Sequence, residues 1–203
     1  MLTFYHAPRS RSTRIRNLMI ELGIVDEVTT RLVQIRRNDG SGGADPANPH
    51  LDGKVPLLDH DGVQIWESTA IMLYLTDLFP EAGLGVPQGD RLRGRYLSWL
   101  AWYGDVLEPV LVHAMTGLSH PALDATFRGK AEALARLEWG LSDGPWLMGD
   151  RYTAADIVCA SAFTWGPDMM PDSPVLRGWI ERCTARPGYV RAAQMDEADV
   201  ARA

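Results

Sequence analysis

The chain has 203 residues, 46% hydrophobic and 23% charged, and a formal net charge of -6 from 20 Lys and Arg against 26 Asp and Glu. That balance argues against nucleic-acid binding, no apolar run approaches the roughly 20 residues of a membrane span, and two cysteines, Cys159 and Cys183, are too few for a disulfide scaffold. The start, Met1 to His6, has no basic segment followed by an apolar one, so a cytoplasmic globular protein is expected, able to bury roughly 70% of its unfolded surface.

Leu2–His6 reads as a buried strand. Ile15, Leu18, Met19 and Leu22 follow at helical spacing, with Gly23 where a helix C-cap belongs. The β-branched content of 29–35 favours a second strand. Residues 36–53, with Gly40, Gly42, Gly43, Pro46 and Pro49, read as loop. Asp61-Gly62 between two apolar runs, 55–59 and 63–66, is a hairpin signal. Ser68 is placed to cap a helix carrying Ile71, Met72, Leu75 and Leu78, stopped at Pro80. The order β-α-β, loop, β-β-α predicts a parallel first pair and an antiparallel hairpin.

Beyond a glycine-rich stretch at 81–89 the pattern is helical throughout. A first apolar face runs from Leu92 to Val110, bent near Gly104 and Pro109. Ser119 opens a second helix with Leu123, Phe127, Leu134, Leu137 and Leu141, a third begins near Thr153, and Ser173-Pro174 opens a fourth. The domains expected are 1–80, α/β, and 90–203, an all-α bundle, joined by a linker at 81–89.

Three features carry chemistry. Pro8-Arg9-Ser10-Arg11-Ser12 puts two hydroxyls at a helix N-terminus, where free N–H groups favour an anion; the same hydroxyls suit an ordinary cap. Gly53-Lys54-Val55-Pro56 offers a proline at the start of a strand, a position suited to a cis peptide and to strand-like pairing with an extended ligand. Glu67-Ser68 sets a carboxylate beside a hydroxyl at a helix start, a combination able to grip the ammonium and carboxylate of an amino-acid head group. Arg14 and Arg16 read as a solvated helix face. The five histidines have no metal spacing, and no metal is expected.

The order P-x-S, G-K-V-P, then Glu67-Ser68-Thr69-Ala70-Ile71-Met72-Leu73-Tyr74-Leu75, with Gly149-Asp150-Arg151-Tyr152-Thr153-Ala154-Ala155-Asp156 in the second half, resembles the cytosolic glutathione S-transferases, in their bacterial, serine-type, theta- or beta-like form. Thr153 and Asp156 also have capping-box spacing, a stability role. The resemblance implies a thioredoxin-like N-terminal domain that binds glutathione and an α-helical C-terminal domain that takes a small hydrophobic electrophile. It further implies a homodimer and a detoxifying conjugation reaction.

Carried over residue by residue, the resemblance gives Glu67 and Ser68 the γ-glutamyl end of glutathione. Val55 takes the cysteinyl backbone, with Pro56 cis, and Lys54 the glycyl carboxylate, His50 or Arg37 assisting. Ser10 is the hydroxyl that supports the thiolate, with Ser12 as runner-up and Arg11 a nearby charge. Tyr5, Tyr96, Trp99, Tyr103, Met115 and Trp165 line the electrophile pocket, aromatics at helical spacing being equally suited to a core. Arg11 stands where beta-like members carry cysteine, and the chain has no C-x-x-C. The expected activity is serine-assisted conjugation; the alternatives are a non-catalytic adaptor and a glutathione-dependent peroxidase or thiol reductase.

Overall fold

In the computed structural model, which describes residues 1–202, the first strand is β1 (Leu2–His6), followed by helix α1 (Thr13–Leu22) and β2 (Val28–Leu32). The hairpin strands are β3 (Leu57–His60) and β4 (Val63–Trp66), and α2 (Ser68–Leu78) follows. The sheet order is β2-β1-β3-β4, with β1 parallel to β2 and the other pairs antiparallel. A parallel neighbour demands a crossover, which α1 supplies; the hairpin turns on Asp61 and Gly62, at φ 51° and 88°. Gly23 ends α1 at φ 74°, in the left-handed region that suits a residue without Cβ.

Contacts divide the chain into two units. One holds Met1–Ala82 together with the stretch beginning at Arg186; the other is Gly83–Ala185. The last helix, α9 (Pro187–Val200), thus packs in the first unit, whereas the expected second domain ran on to 203. The reason lies on α1. Arg14 and Arg16, expected in solvent, are only 4% and 3% exposed. Arg16 reaches Asp196 at 2.8 Å and Asp199 at 2.7 Å on α9. At the other end, Glu21 accepts from Arg186 and, at 2.9 Å, from the Gly188 N–H in the first turn of α9, where a carboxylate complements the helix dipole. Phe4, Ile15, Leu18, Leu58, Ile71 and Leu75 are wholly buried in this unit, each contributing about 1.5–3 kcal/mol by leaving water.

The second unit is helical: α3 (Arg93–Trp102), α4 (Glu108–Thr116), α5 (Pro121–Phe127), α6 (Lys130–Gly140), α7 (Ala154–Ser161) and α8 (Pro174–Thr184). Between α3 and α4 the backbone widens into a π-helical turn over Tyr103–Leu107. Pro109 has no N–H to return to the fourth residue before it, and the looser turn absorbs that loss. The single helix expected after Ser119 is two helices, because Arg128 stands at φ 63° between them. Its cap is His120, whose Nδ1 accepts from the Ala122 N–H. Likewise Glu67, not Ser68, occupies the N-cap of α2.

The capping box of α7 has formed. Asp156 Oδ2 accepts from the Thr153 N–H at 3.0 Å, and Thr153 Oγ1 from the Ala155 N–H at 3.3 Å. Asp156 Oδ1 also accepts from the Leu147 N–H and from Trp179 Nε1, at 2.9 and 3.0 Å. Burial pushes its carboxyl up to about 6, against the pull of these three donors and of the Thr153 hydroxyl at 3.4 Å. Among the described residues, no helix is long and apolar enough to cross a membrane.

Candidate functional site

Strand register gathers the three motifs at one end of the sheet. Tyr5 of β1 pairs with Leu57 of β3, and Leu57 with Trp66 of β4. The loop that leaves the carboxyl end of β1, carrying Ser10 and Ser12, therefore lies at the same end as Val55-Pro56, which enters β3, and Glu67-Ser68, which leaves β4. The Val55–Pro56 peptide is cis, as expected. Two non-glycine residues with positive φ flank this end, Arg9 at 54° and Glu67 at 66°. Such backbone costs on the order of 1–3 kcal/mol and concentrates where a side chain must be aimed.

Ser10 is half-buried, and its hydroxyl donates to the Ala7 carbonyl at 2.7 Å and lies 2.8 Å from Ser12 Oγ. Ser12 is different. It is fully buried, with Oγ 2.6 Å from His6 Nδ1 and 3.2 Å from the Ala7 N–H. The expectation that Ser12 could stand in for Ser10 against a ligand sulfur is overturned by this enclosure: no ligand atom can reach a hydroxyl held inside the loop. Arg11 is exposed beside them.

Behind the loop lies a group that the sequence reading passed over. His6 Nε2 is 3.1 Å from Asp196 Oδ1, and Asp196 Oδ2 accepts from the Arg9 N–H at 2.6 Å and from Thr13 Oγ1. Burial holds the His6 imidazole below its ordinary value, although the Asp196 hydrogen bond opposes this. Burial would raise Asp196, but hydrogen bonds from His6, Thr13 and the Arg9 N–H outweigh it and hold the carboxyl low. His6 is thus neutral and Asp196 ionised near pH 7. No spacing links residues 190 positions apart, so no sequence signal could have found the pair.

Of the residues expected at the head-group and glycyl positions, Lys54 and Glu67 are exposed, Val55 is half-buried, and Pro56 and Ser68 are buried. His50 is turned into its own loop, its Nδ1 accepting from the Asp52 N–H at 3.0 Å. Arg37 donates to the Pro8 and Arg9 carbonyls at 2.9 and 3.3 Å, so it braces the Ser10 loop from the glycine-rich segment. Tyr5 is half-buried on β1. Tyr96, Trp99 and Tyr103 were expected to line a pocket; they are instead core of the helical unit, each under 5% exposed, because α3 turns its apolar face inward. Trp102 stacks edge-on against Trp99. Met115 is exposed and Trp165 half-buried. Cys159 and Cys183 are both buried thiols.

A four-stranded β-α-β, β-β-α unit with these motifs at one sheet end defines a thioredoxin-like domain joined to a helical one. The model of the glutathione S-transferase N-terminal domain matches residues 9–78, and that of the C-terminal domain matches 108–187. The chain belongs to the glutathione S-transferase family. Among curated proteins it is 29% identical to the disulfide-bond oxidoreductase YfcG of Escherichia coli K12, over 95% of this chain and 94% of that protein. Among solved structures it is similar to a glutathione transferase from Methylococcus capsulatus strain Bath, with a TM-score of 0.78 and 28% identity over 98% of this chain and all of the other. A sphingomonad glutathione S-transferase complexed with glutathione matches with a TM-score of 0.76 and 24% identity, over 96% and 98% of the two chains.

Proposed function

We propose that the chain is a glutathione transferase that conjugates the thiol of glutathione to small hydrophobic electrophiles, with Ser10 as the hydroxyl that supports the thiolate. The observation that carries this reading is the register that sets Ser10, Val55-Pro56 and Glu67-Ser68 at one end of one sheet. Glu67 takes the ammonium of the γ-glutamyl end, Ser68 and the first turn of α2 its carboxylate, and Lys54 the glycyl carboxylate. Val55 pairs with the cysteinyl backbone as an added strand would. A free thiol has a pKa near 8.5, so about 3% is ionised at pH 7; a hydroxyl donor and a helix N-terminus can lower that by one or two units.

The test is Ser10→Ala. Turnover with a chlorinated aromatic electrophile falls at least tenfold while retention on immobilised glutathione persists. Unchanged turnover overturns the role of Ser10, and no retention of the wild type returns the adaptor reading. A second reading, glutathione-dependent disulfide reduction, is favoured by the likeness to YfcG. It consumes two glutathione molecules per disulfide, which leave as glutathione disulfide, and the attacking thiolate is glutathione's own because both cysteines of the chain are buried; assay with a small disulfide and with a hydroperoxide separates reductase and peroxidase from transferase.

A homodimer is part of the proposal. Leu51 and Trp66, 97% and 58% exposed, give the first unit apolar surface for a second copy. Two buried thiols accord with a reducing, cytoplasmic setting.

A further inference from the structure

We propose that His6 is the terminal acceptor of the glutathione thiol proton, reached through Ser12 and Ser10, and that Asp196 orients it. This rests on the reading of Ser10 given above and adds where the proton goes. The four groups form one hydrogen-bonded line: Asp196 Oδ1 to His6 Nε2 at 3.1 Å, His6 Nδ1 to Ser12 Oγ at 2.6 Å, and Ser12 Oγ to Ser10 Oγ at 2.8 Å. Only Ser10, the last of them, is partly exposed.

Donor counting fixes the direction of the line at rest. An ionised carboxylate only accepts, so His6 Nε2 carries the proton and donates to Asp196. A neutral imidazole then has a lone pair on Nδ1, and the Ser12 hydroxyl donates to it at 2.6 Å, the Ala7 carbonyl being a longer second acceptor at 3.1 Å. Ser12 Oγ is left with acceptor sites, taken by the Ala7 N–H at 3.2 Å and open to the Ser10 hydroxyl. Ser10 shares its proton between Ser12 Oγ and the Ala7 carbonyl, and its oxygen accepts from the Ser12 N–H at 3.2 Å with one acceptor site left over.

A thiol arriving at Ser10 donates S–H to that oxygen. As the S–H bond breaks, Ser10 Oγ gains the thiol proton and passes its own to Ser12 Oγ. Ser12 passes its proton to His6 Nδ1. The products are a thiolate and an imidazolium, with total charge unchanged and both hydroxyls intact. The His6–Ser12 and Ser12–Ser10 hydrogen bonds have reversed while His6 Nε2 still donates to Asp196, so Ser10 now donates to sulfur, the arrangement that stabilises a thiolate. Asp196 meets the new positive charge across the existing 3.1 Å contact.

The groups facing His6 set its readiness. Asp196 and Asp199 of α9 favour the imidazolium; Arg16 of α1 and burial oppose it. The acceptor is therefore weak at rest and returns its proton readily, to a carbanion when the electrophile is an activated alkene or to solvent when a leaving group departs.

The test reads the thiolate of bound glutathione by ultraviolet absorbance against pH, alongside kcat and KM, in the wild type, His6→Gln, Ser12→Ala and Ser10→Ala. Cutting the line at His6 or Ser12 raises the apparent pKa of the bound thiol by about one unit and lowers kcat about tenfold near pH 7. The glutathione dissociation constant stays within about twofold, and kcat converges on the wild type at alkaline pH, where the thiol ionises unaided. A merely structural role would instead depress kcat at every pH without displacing the profile, and that result overturns the relay. Ser12→Ala, one oxygen smaller, keeps the test available should His6→Gln fail to fold. If Ser10→Ala displaces the profile while His6→Gln and Ser12→Ala do not, only the relay falls. If Ser10→Ala leaves the profile in place, the role of Ser10 falls with it.

Discussion

His6 and Asp196, 190 residues apart, meet at 3.1 Å, joining the carboxyl end of β1 to α9. Asp196 is at once the partner of a buried imidazole, of the Arg16 guanidinium at 2.8 Å, of Thr13 Oγ1 and of the Arg9 N–H. One carboxylate thus holds the strand end, the Ser10 loop and α1 together, and its loss is felt at all three.

Asp196→Ala is expected to destabilise the first unit by about 3–5 kcal/mol, because removing it leaves buried Arg16 without one of its two carboxylate partners and His6 without an acceptor. Asp199, also bound to Arg16, moderates the loss. The shift of the urea midpoint measures it. Replacement by Asn should cost less, since the amide oxygen still accepts.

Acid should loosen the two units differently. His6 titrates below its ordinary value in the fold, so the stability gained by keeping it neutral is present above pH 6.5 and is lost as pH falls below it. Asp156 is pushed the other way, from 3.8 to about 6, so its burial penalty is full above pH 6 and is relieved as pH falls towards 3.8. That relief amounts to about 3 kcal/mol. Amide exchange between pH 7 and pH 5 should therefore lose protection in β1 and α9 while α7 holds or gains it. Equal loss in both units would contradict the opposed signs.

Gly188→Ala should cost about 1–3 kcal/mol by overpacking. A Cβ at that position would stand 2.4 Å from Glu21 Cγ and 2.5 Å from Asn17 Oδ1, and Glu21 is not free to yield because Arg186 and the Gly188 N–H hold it. Thermal unfolding of the variant checks this, with Gly94→Ala, where nothing lies within 4 Å of the added carbon, as the control that should not lose stability.

Glu67→Ala should weaken glutathione at least tenfold, about 1.4 kcal/mol, with little change in kcat. Titration calorimetry measures it. A dissociation constant within twofold of the wild type would displace the head-group site from this residue.

Local elements follow from the residue order wherever a periodic pattern or a turn residue acts on near neighbours. The strand of Leu2–His6, the Asp61-Gly62 hairpin, the Gly23 stop and the Thr153-Asp156 cap were legible for that reason, as was the chain order of the three motifs. Their meeting at one sheet end was not, because register depends on pairing between strands more than 50 residues apart. The tertiary structure also decided which polar groups are buried. The stripe of α9 that meets α1 consists of Gly188, Ala192 and Asp196, four residues apart. Small residues allow close approach but give no apolar periodicity, so that helix and its hold on Arg16 left no trace in the hydrophobic pattern. His6 likewise looked like one more scattered histidine; its protonation state follows from a carboxylate delivered from the far end of the chain and from the exclusion of water around both.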